Sequence, residues 1–272
     1  MENSGKMKSL RQRFLVILGI ALMASGCFTA AAHAEWHFGI GTGIGLNNID
    51  GTIGFTSLIG KIGSRKYDFN LDPQDFNDYV DTAFGFGGYA TDGTWMVQYS
   101  FANVTLKDTA SRSLPDLNST AKAEVKFKMT GAELTVGYPV YKTSSFTVTL
   151  DGGLRYTKHK LENSLTVTGV VNDSGKNKID NSWTDAVLGA SLIVPFADTW
   201  SWNSRANAGF GGSDGTYLVQ TGLTWRFHKN WSTSLTGKYV SVDYENGSQG
   251  DSDWYYYNAD ESSLALTILF NW

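Results

Sequence analysis

The chain has 272 residues, 42% hydrophobic and 14% aromatic, with a formal charge of −4 and a single cysteine. The acidic balance excludes a nucleic-acid binder working through a basic patch, and one cysteine excludes an intramolecular disulfide framework. A mean hydropathy of −0.21 alongside so many aromatics fits apolar residues diluted by alternation rather than gathered into apolar helices.

In chain order, Lys6, Lys8, Arg11 and Arg13 precede an apolar run at 14–23 and a small-residue stretch ending Ala32-His33-Ala34. This is the pattern of a secretory signal cleaved after Ala34, leaving Glu35 as the mature N-terminus. The run is about ten residues long, against the roughly 20 a membrane-spanning helix needs. Residues 1–34 are therefore read as a signal peptide for the general secretory pathway, and 35–272 as one domain. Ala24-Ser-Gly-Cys27 loosely matches a lipoprotein acylation site, but with Ala where Leu is usual. The downstream Ala-x-Ala site fits better, and on that reading the mature chain is cysteine-free. Loss of the four bases and Glu2 takes the charge from −4 to −7.

From Trp36 onward, alternating segments are separated by two kinds of connection. Asp92-Gly93, Tyr141-Lys-Thr-Ser144, Ala197-Asp-Thr199 and His228-Lys-Asn230 are short, whereas the polar stretches at 108–122, 162–182 and 245–261 are long. Short-long alternation is the asymmetry of an outer-membrane barrel, with tight periplasmic turns and longer outer loops. The spacing predicts strands starting near 36, 82, 94, 123, 145, 182, 199, 216, 231 and 262. That makes an all-β, transmembrane, up-and-down antiparallel barrel of about ten strands, with eight or twelve as the neighbouring even counts. Before residue 82 the stretch from Trp36 to Ile53 reads as one long strand or as a strand and a bulge. The 72–80 segment reads as a short helix, with Asp72 as N-cap and Pro73 in its first turn, placed either in the first outer loop or in the lumen. Gly39, Gly41, Gly43 and Gly45 lack the offset of a dinucleotide fingerprint and are read as the inner face of the first strand.

The last strand alternates Leu264, Leu266, Ile268, Phe270 and Trp272 with small or polar residues, so one face is an apolar stripe. Extending that parity puts Val97, Leu134, Val136, Leu150, Leu154, Leu188, Leu223 and Trp225 against lipid. Aromatics beside the short turns, Trp95, Tyr138, Phe146, Phe196, Trp200, Phe227, Trp231 and Trp272, are expected to form the periplasmic girdle. The opposite parity sends Glu133, Asp151, Arg155, Asp185, Arg205, Arg226 and Lys238 into the lumen, because a lipid-facing Arg or Lys costs roughly 2 to 4 kcal/mol near mid-bilayer. Their mixed signs favour a ladder that closes the barrel over a track lining a pore.

Several segments together resemble a widespread but poorly characterised family of outer-membrane β-barrel proteins. They are Asn48-Ile-Asp-Gly-Thr-Ile53, Asp81-Thr-Ala-Phe-Gly-Phe-Gly-Gly-Tyr89 followed by Gly93-Thr-Trp, Trp183-Thr-Asp-Ala-Val-Leu-Gly189, Trp200 to Gly212, and Tyr239-Val-Ser-Val-Asp-Tyr244. The resemblance spans nearly the whole mature length and implies an outer-membrane porin-like barrel, with no catalytic or ligand residue to carry over. The final Phe270-Asn-Trp272 departs from the family's usual terminal Phe.

Enzymatic chemistry has one candidate. His159 sits high on the fifth strand, with Ser213 and Asp214 as possible partners in a hydrolase of outer-leaflet lipid. Asp251, Asp253, Asp260 and Glu261 form an acidic outer stretch without the spacing of a calcium loop. Trp254 and Tyr255-Tyr-Tyr257 read as exposed aromatics at the outer membrane boundary. The expected protein is thus a monomer in the bacterial outer membrane, without catalytic residue, cofactor or metal. It would act as a structural barrel or narrow channel for small solutes. A lipid hydrolase using His159 and a surface adhesin or receptor working through its outer loops are the alternatives. Its expected partners are outer-membrane lipids and, through Phe270 and Trp272, the barrel-assembly machinery, with no nucleic acid.

Overall fold

The computed structural model describes residues 35–57, 63–114, 119–169 and 173–272. The signal peptide and the Cys27 readings therefore lie outside the described residues. Alternation of apolar with small or polar side chains makes nearly all of the described chain extended, since each strand then has one face for lipid and one for the interior. Among the described residues the strands are β1 (His37–Ser57), β2 (Gly63–Leu71), β3 (Val80–Thr91), β4 (Met96–Leu114), β5 (Ser119–Lys142), β6 (Thr147–Gly169), β7 (Asp173–Ala197), β8 (Trp200–Phe210), β9 (Gly215–His228), β10 (Trp231–Asn246) and β11 (Tyr255–Asn271), with one helix, α1 (Pro73–Tyr79). Every ladder is antiparallel, neighbours in sequence are neighbours in the sheet from β3 to β11, and β11 pairs back onto β1 to close the ring.

Eleven strands make ten staves. The edge of β1 facing away from β11 is shared by two partners: residues 37–41 pair with β3, and residues 49–57 pair with β2. So β2 and β3 are the two halves of one stave, interrupted by α1. The even count expected from the sequence survives at the level of staves, and both ends of the barrel chain emerge beside the short turns. Helix α1 is started by Asp72, whose carboxylate accepts from the backbone N–H groups of Gln74 (2.7 Å) and Asp75 (2.9 Å), with Pro73 in the first turn where its missing N–H costs nothing. Its Phe76 is buried against Ile49 and Leu106, which places the helix against the barrel interior.

The long connections differ from the expectation. Residues 108–122 and 162–182 are mostly strand, because β4 and β5 run to and from Leu114 and Ser119, and β6 and β7 to and from Gly169 and Asp173. Likewise β10 reaches Asn246 and β11 begins at Tyr255. Polar residues on both faces are no obstacle once the sheet leaves the bilayer, and cross-strand ion pairs hold it there: Lys107–Glu124 at 3.1 Å and Lys158–Asp180 at 2.8 Å.

The lipid-facing parity is as read from the sequence, with Leu134, Val136, Leu150, Leu154, Leu188, Leu223 and Trp225 all exposed on the outer wall. At the short-turn end the aromatics touch one another in a belt. Trp95 meets Tyr138, Phe196 meets Trp200, Trp200 stacks on Trp225, Trp225 meets Phe227, and Trp231 meets Phe270. Phe270 stacks on Trp272, which stacks on Phe38, while Phe146 stacks on Tyr141. The terminal strand thus finishes inside the girdle, at the point where the ring closes.

The glycines of β1 have a steric reason. The ring of Tyr89 lies where a Cβ on Gly39 would stand, a Cβ on Gly41 would lie 2.6 Å from the Ile268 carbonyl oxygen, and one on Gly43 would lie 2.5 Å from that of Leu266. Strand β1 therefore coils against β11 more tightly than any side chain permits. Gly43→Ala is expected to cost about 1 to 3 kcal/mol through this overpacking. Gly131→Ala, where a Cβ meets nothing within 4 Å, should be neutral or mildly stabilising. Urea-dependent refolding into phospholipid vesicles, followed by tryptophan fluorescence, reads both.

Candidate functional site

Inward-facing residues divide the lumen into three levels. The outer half is apolar. Ile49, Val240, Val242 and Ala259 pack with Trp183, Tyr244, Tyr255 and Tyr257 and with Phe76 and Leu106 into one buried cluster. Trp183 and Tyr244 stack face to face with centroids 4.0 Å apart. Tyr255 and Tyr257 are each only 1% exposed, so these two rings plug the barrel instead of lying at the outer membrane boundary. They turn inward because β11 continues its alternation to Tyr255, and odd-numbered positions there point into the barrel. Trp254 donates its indole N–H to Glu245 at 2.7 Å.

His159 belongs to this plug. Its Nδ1 shares a 2.8 Å hydrogen bond with the Tyr255 hydroxyl, and its ring meets Phe127, Trp183 and Tyr257 edge-on. Ser213 lies elsewhere, with its Oγ 2.9 Å from both carboxylate oxygens of Asp185. Asp214 joins β10 through its backbone, donating to the Asp243 carbonyl at 2.9 Å. The three groups considered for a hydrolase are thus held by three different sets of partners.

Beneath the plug, four of the seven charges expected in the lumen form one cluster. Arg155 stands opposite Glu133 in the β5–β6 register and donates through Nε at 2.8 Å and Nη2 at 2.6 Å. Arg205, on β8, reaches across the interior to Glu133 at 2.7 Å and to Asp151 at 2.6 Å, with Thr135 at 3.3 Å. Asn207 accepts from Arg155 at 2.7 Å. Two acids and two bases cancel, and each is nearly sealed from water, with side-chain exposures of 10–11% for Arg205, Arg155 and Glu133 and 1% for Asp151. In that setting each charge depends on its partners to replace lost hydration.

The other three charges stand apart, each for a local reason. Asp185 is fully buried and sits opposite Arg155 in register, yet its carboxylate is already filled by the backbone N–H groups of Gly212 (3.0 Å) and Ser213 (2.7 Å) and by the hydroxyls of Ser213 and Thr216. It fastens the short outer β8–β9 hairpin. Arg226 lies at the short-turn mouth and donates to the Asp198 carbonyl at 2.8 Å. Lys238 keeps inward parity but is exposed and makes no ion pair with the cluster.

The inner level is polar and hollow. A cavity of about 620 Å³ lies below the charge cluster, lined by Gln98, Thr149, Ser191, Arg205, Thr236 and Asn271 among others. A second, of about 520 Å³, adjoins it at the mouth, where His37, Arg226, Lys229 and Asn230 stand. Tyr89, Ser201, Thr224, Ser232 and Asn271 line both, so the two form one vestibule open at the short-turn end.

No protein-family model matches the chain, and no curated protein does either. Among solved structures it is similar to the outer membrane protease OmpT of Escherichia coli, with a TM-score of 0.53, 8% identity, and coverage of 90% of this chain and 99% of that one. It is also similar to the translocator domain of the autotransporter NalP of Neisseria meningitidis, with a TM-score of 0.40, 14% identity, and coverage of 95% and 97%. The attachment invasion locus protein Ail of Yersinia pestis gives a TM-score of 0.32, 13% identity, and coverage of 88% and 99%. The closed antiparallel ring and the likeness to OmpT give the chain the fold of a bacterial outer-membrane β-barrel, and the apolar outer wall above an aromatic girdle is the surface such a barrel turns to lipid.

Removing one member of the charge cluster strands the others. Arg205→Ala is expected to destabilise the barrel by about 3 to 5 kcal/mol, because it leaves Asp151 and half of Glu133 buried without a counter-ion. Lys238→Ala, on the same parity but outside the cluster, should change stability by no more than about 0.5 kcal/mol. Comparing the two by urea titration in vesicles checks the assignment, and equal losses would refute it.

Proposed function

We propose that this protein is a monomeric, closed outer-membrane barrel with a structural role, whose lumen communicates with the periplasm and not with the exterior. The observation that carries this reading is the stacking of two seals in series: the neutral Glu133–Arg155–Arg205–Asp151 cluster, and above it the aromatic plug around Trp183, Tyr244, Tyr255 and Tyr257. A conducting pore needs a continuous wet path or a ring of one charge sign, and both seals work against it. The vestibule favours a subsidiary role, the holding of a small polar solute from the periplasmic side, since it is lined by Ser, Thr, Asn and Gln. Channel activity would require the plug to move.

On the same reading the chain uses neither cofactor nor metal and performs no covalent catalysis, because His159 is engaged by Tyr255 within the plug. It is exported with cleavage after Ala34, and Phe270 and Trp272, already in the girdle, present the aromatic end that the assembly machinery receives. Planar-bilayer recording of refolded protein tests the closed barrel. Wild type, Glu133→Ala and Arg205→Ala should all be silent, because the plug remains. Conductance steps should appear only when Tyr255→Ala and Tyr257→Ala are combined with Arg205→Ala, so that both seals are breached. Steady steps from the wild type would sink the proposal.

A further inference from the structure

Lysine is distributed one-sidedly at the outer end of the barrel. Strands β4 to β7 rise past their neighbours: the β3 ladder on β4 stops at Leu106 and the β8 ladder on β7 stops at Ala186, while β4 to β7 stay paired with one another well beyond. In β5, β6 and β7 the outward face is the even-numbered one, continuous with the exposed Leu134, Leu154 and Leu188 below. Every lysine in the upper parts of these strands lies on it: Lys122, Lys126 and Lys128, then Lys158 and Lys160, then Lys176 and Lys178. Lys107 of β4 is the direct partner of Lys126 and shares its face. Three acids, Glu124, Glu162 and Asp180, stand among these eight lysines. The inward positions carry Phe127, Met129, Leu161 and Ile179 instead. A sheet charged only for contact with water has no reason to keep its lysines to one face. Across the barrel the charge is reversed, with Asp50, Asp243 and Asp260 exposed on the outward faces of β1, β10 and β11.

Height fixes what these lysines meet. Lys128 stands ten residues above Tyr138 of the girdle on the same strand. A tilted strand climbs about 2.5 Å per residue, so Lys128 lies about 25 Å up, at the outer limit of a hydrocarbon band about 25 Å tall. An outward side chain at that height faces lipid headgroups. Two like-charged cross-strand pairs are built there next to each other, Lys107 with Lys126 and Lys128 with Lys160, an arrangement that costs stability unless an anion lies between them. The nearby acids are already taken. Lys107 holds Glu124 at 3.1 Å, Lys160 holds Glu162, and Asp180 is shared by Lys158 at 2.8 Å and Lys178 at 3.5 Å. Lys122, Lys126, Lys128 and Lys176 have no ion pair with any described residue.

We propose that this flank is a docking surface for phosphate-bearing lipids of the outer leaflet. The phosphate is held among Lys107, Lys126, Lys128 and Lys160, and the acyl chains run down over Tyr156, Leu154 and Leu188. One continuous outward face that is basic above and apolar below matches the order of charge and hydrocarbon in an anionic lipid standing in its leaflet. A soluble polyanion would use only the upper half of that face. The acidic wall of a second copy is less available, since Asp50 already accepts from Asn70 at 2.7 Å. With cations on one side and acids on the other, anionic lipid gathers against β4 to β7 and is turned away from β10, β11 and β1. The proposal goes beyond the closed barrel and rests only on the lipid-facing wall, so lipid selectivity and conductance fail or succeed separately.

Residues 35–272 contain no cysteine, so a single label can be placed on either wall. A bimane on Ser182→Cys, exposed and outward beside Lys158, is compared with one on Ser262→Cys, exposed and outward on β11. Each labelled protein is refolded into phosphatidylcholine vesicles that carry a small fraction of either phosphatidic acid or phosphatidylcholine with a doxyl quencher near the top of one acyl chain. At position 182 the phosphatidic acid should quench about fivefold more effectively, the size of one lysine–anion contact at a membrane surface, and at position 262 it should show no advantage. Lys126→Gln combined with Lys128→Gln should remove the preference, as should about 1 M sodium chloride. Lys66→Gln, the same charge change beside Tyr256 on the acidic side, should leave it intact. Heat-modifiable migration on gels verifies folding of each variant. Equal quenching by the two lipids at 182, an equal preference at 262, or a preference that survives the double variant overturns the proposal. So does a label at 182 that neither lipid reaches, which means a second copy covers the flank. Loss of the preference to millimolar inorganic phosphate at constant ionic strength overturns it too, by assigning the lysines to a free anion.

Discussion

The constraint on which the whole molecule depends is that no backbone hydrogen-bonding group can be left facing hydrocarbon. A sheet in a bilayer has to close on itself, and here closure is made by β1, which carries β11 on one edge along its full length and β3 on the other for only five residues. The first contact is made tight by Gly41 and Gly43, where any Cβ would strike a carbonyl of β11. The second is the weak point, and it is where Tyr89 covers Gly39 and hydrogen-bonds Asn271 at 3.0 Å. The seam is therefore held by an aromatic side chain laid over a glycine, at the level of the girdle.

Closing a ring of ten staves leaves an interior slightly wider than side chains alone would fill. The chain solves this differently at different depths. Aromatic rings fill the outer half, where α1 adds Phe76 from inside the broken stave. Arg205 spans the middle, because only a long side chain with a planar fork can reach from β8 to carboxylates on β5 and β6 at once. Short polar side chains line the rest and leave it to water. The barrel is thus rigid above and hollow below, and the proposed structural role rests on that gradient, not on any one residue.

Much of this was legible in the sequence, for identifiable reasons. A period of two survives any tertiary arrangement, so the outward set from Val97 to Ile268 and the inward set from Glu133 to Arg205 could be read from parity alone. The Asp72-Pro73 start of α1 is a local signal and needed no partner. By contrast, polar alternation in the 108–122 and 162–182 stretches looks the same whether a segment is a loop or a sheet projecting into water. Tyr255 and Tyr257 were misread for the related reason that an aromatic near a polar stretch suits an interface as well as a lumen. Only the register of β11 against β1 and β10 turns them inward.

Sequence by itself determined which class of wall this chain builds, which side chains face lipid, and that charges must lie within, because these follow from strand periodicity and the cost of charge in hydrocarbon. Tertiary structure alone decided how those charges are used. Asp185 and Arg155 are opposite one another in register, yet one is satisfied by the N–H groups of a hairpin and the other by Glu133. Sequence position carries no record of that choice, nor of the break between β2 and β3. Both depend on how far each strand rises before it turns, which is fixed only when all the neighbouring ladders are in place.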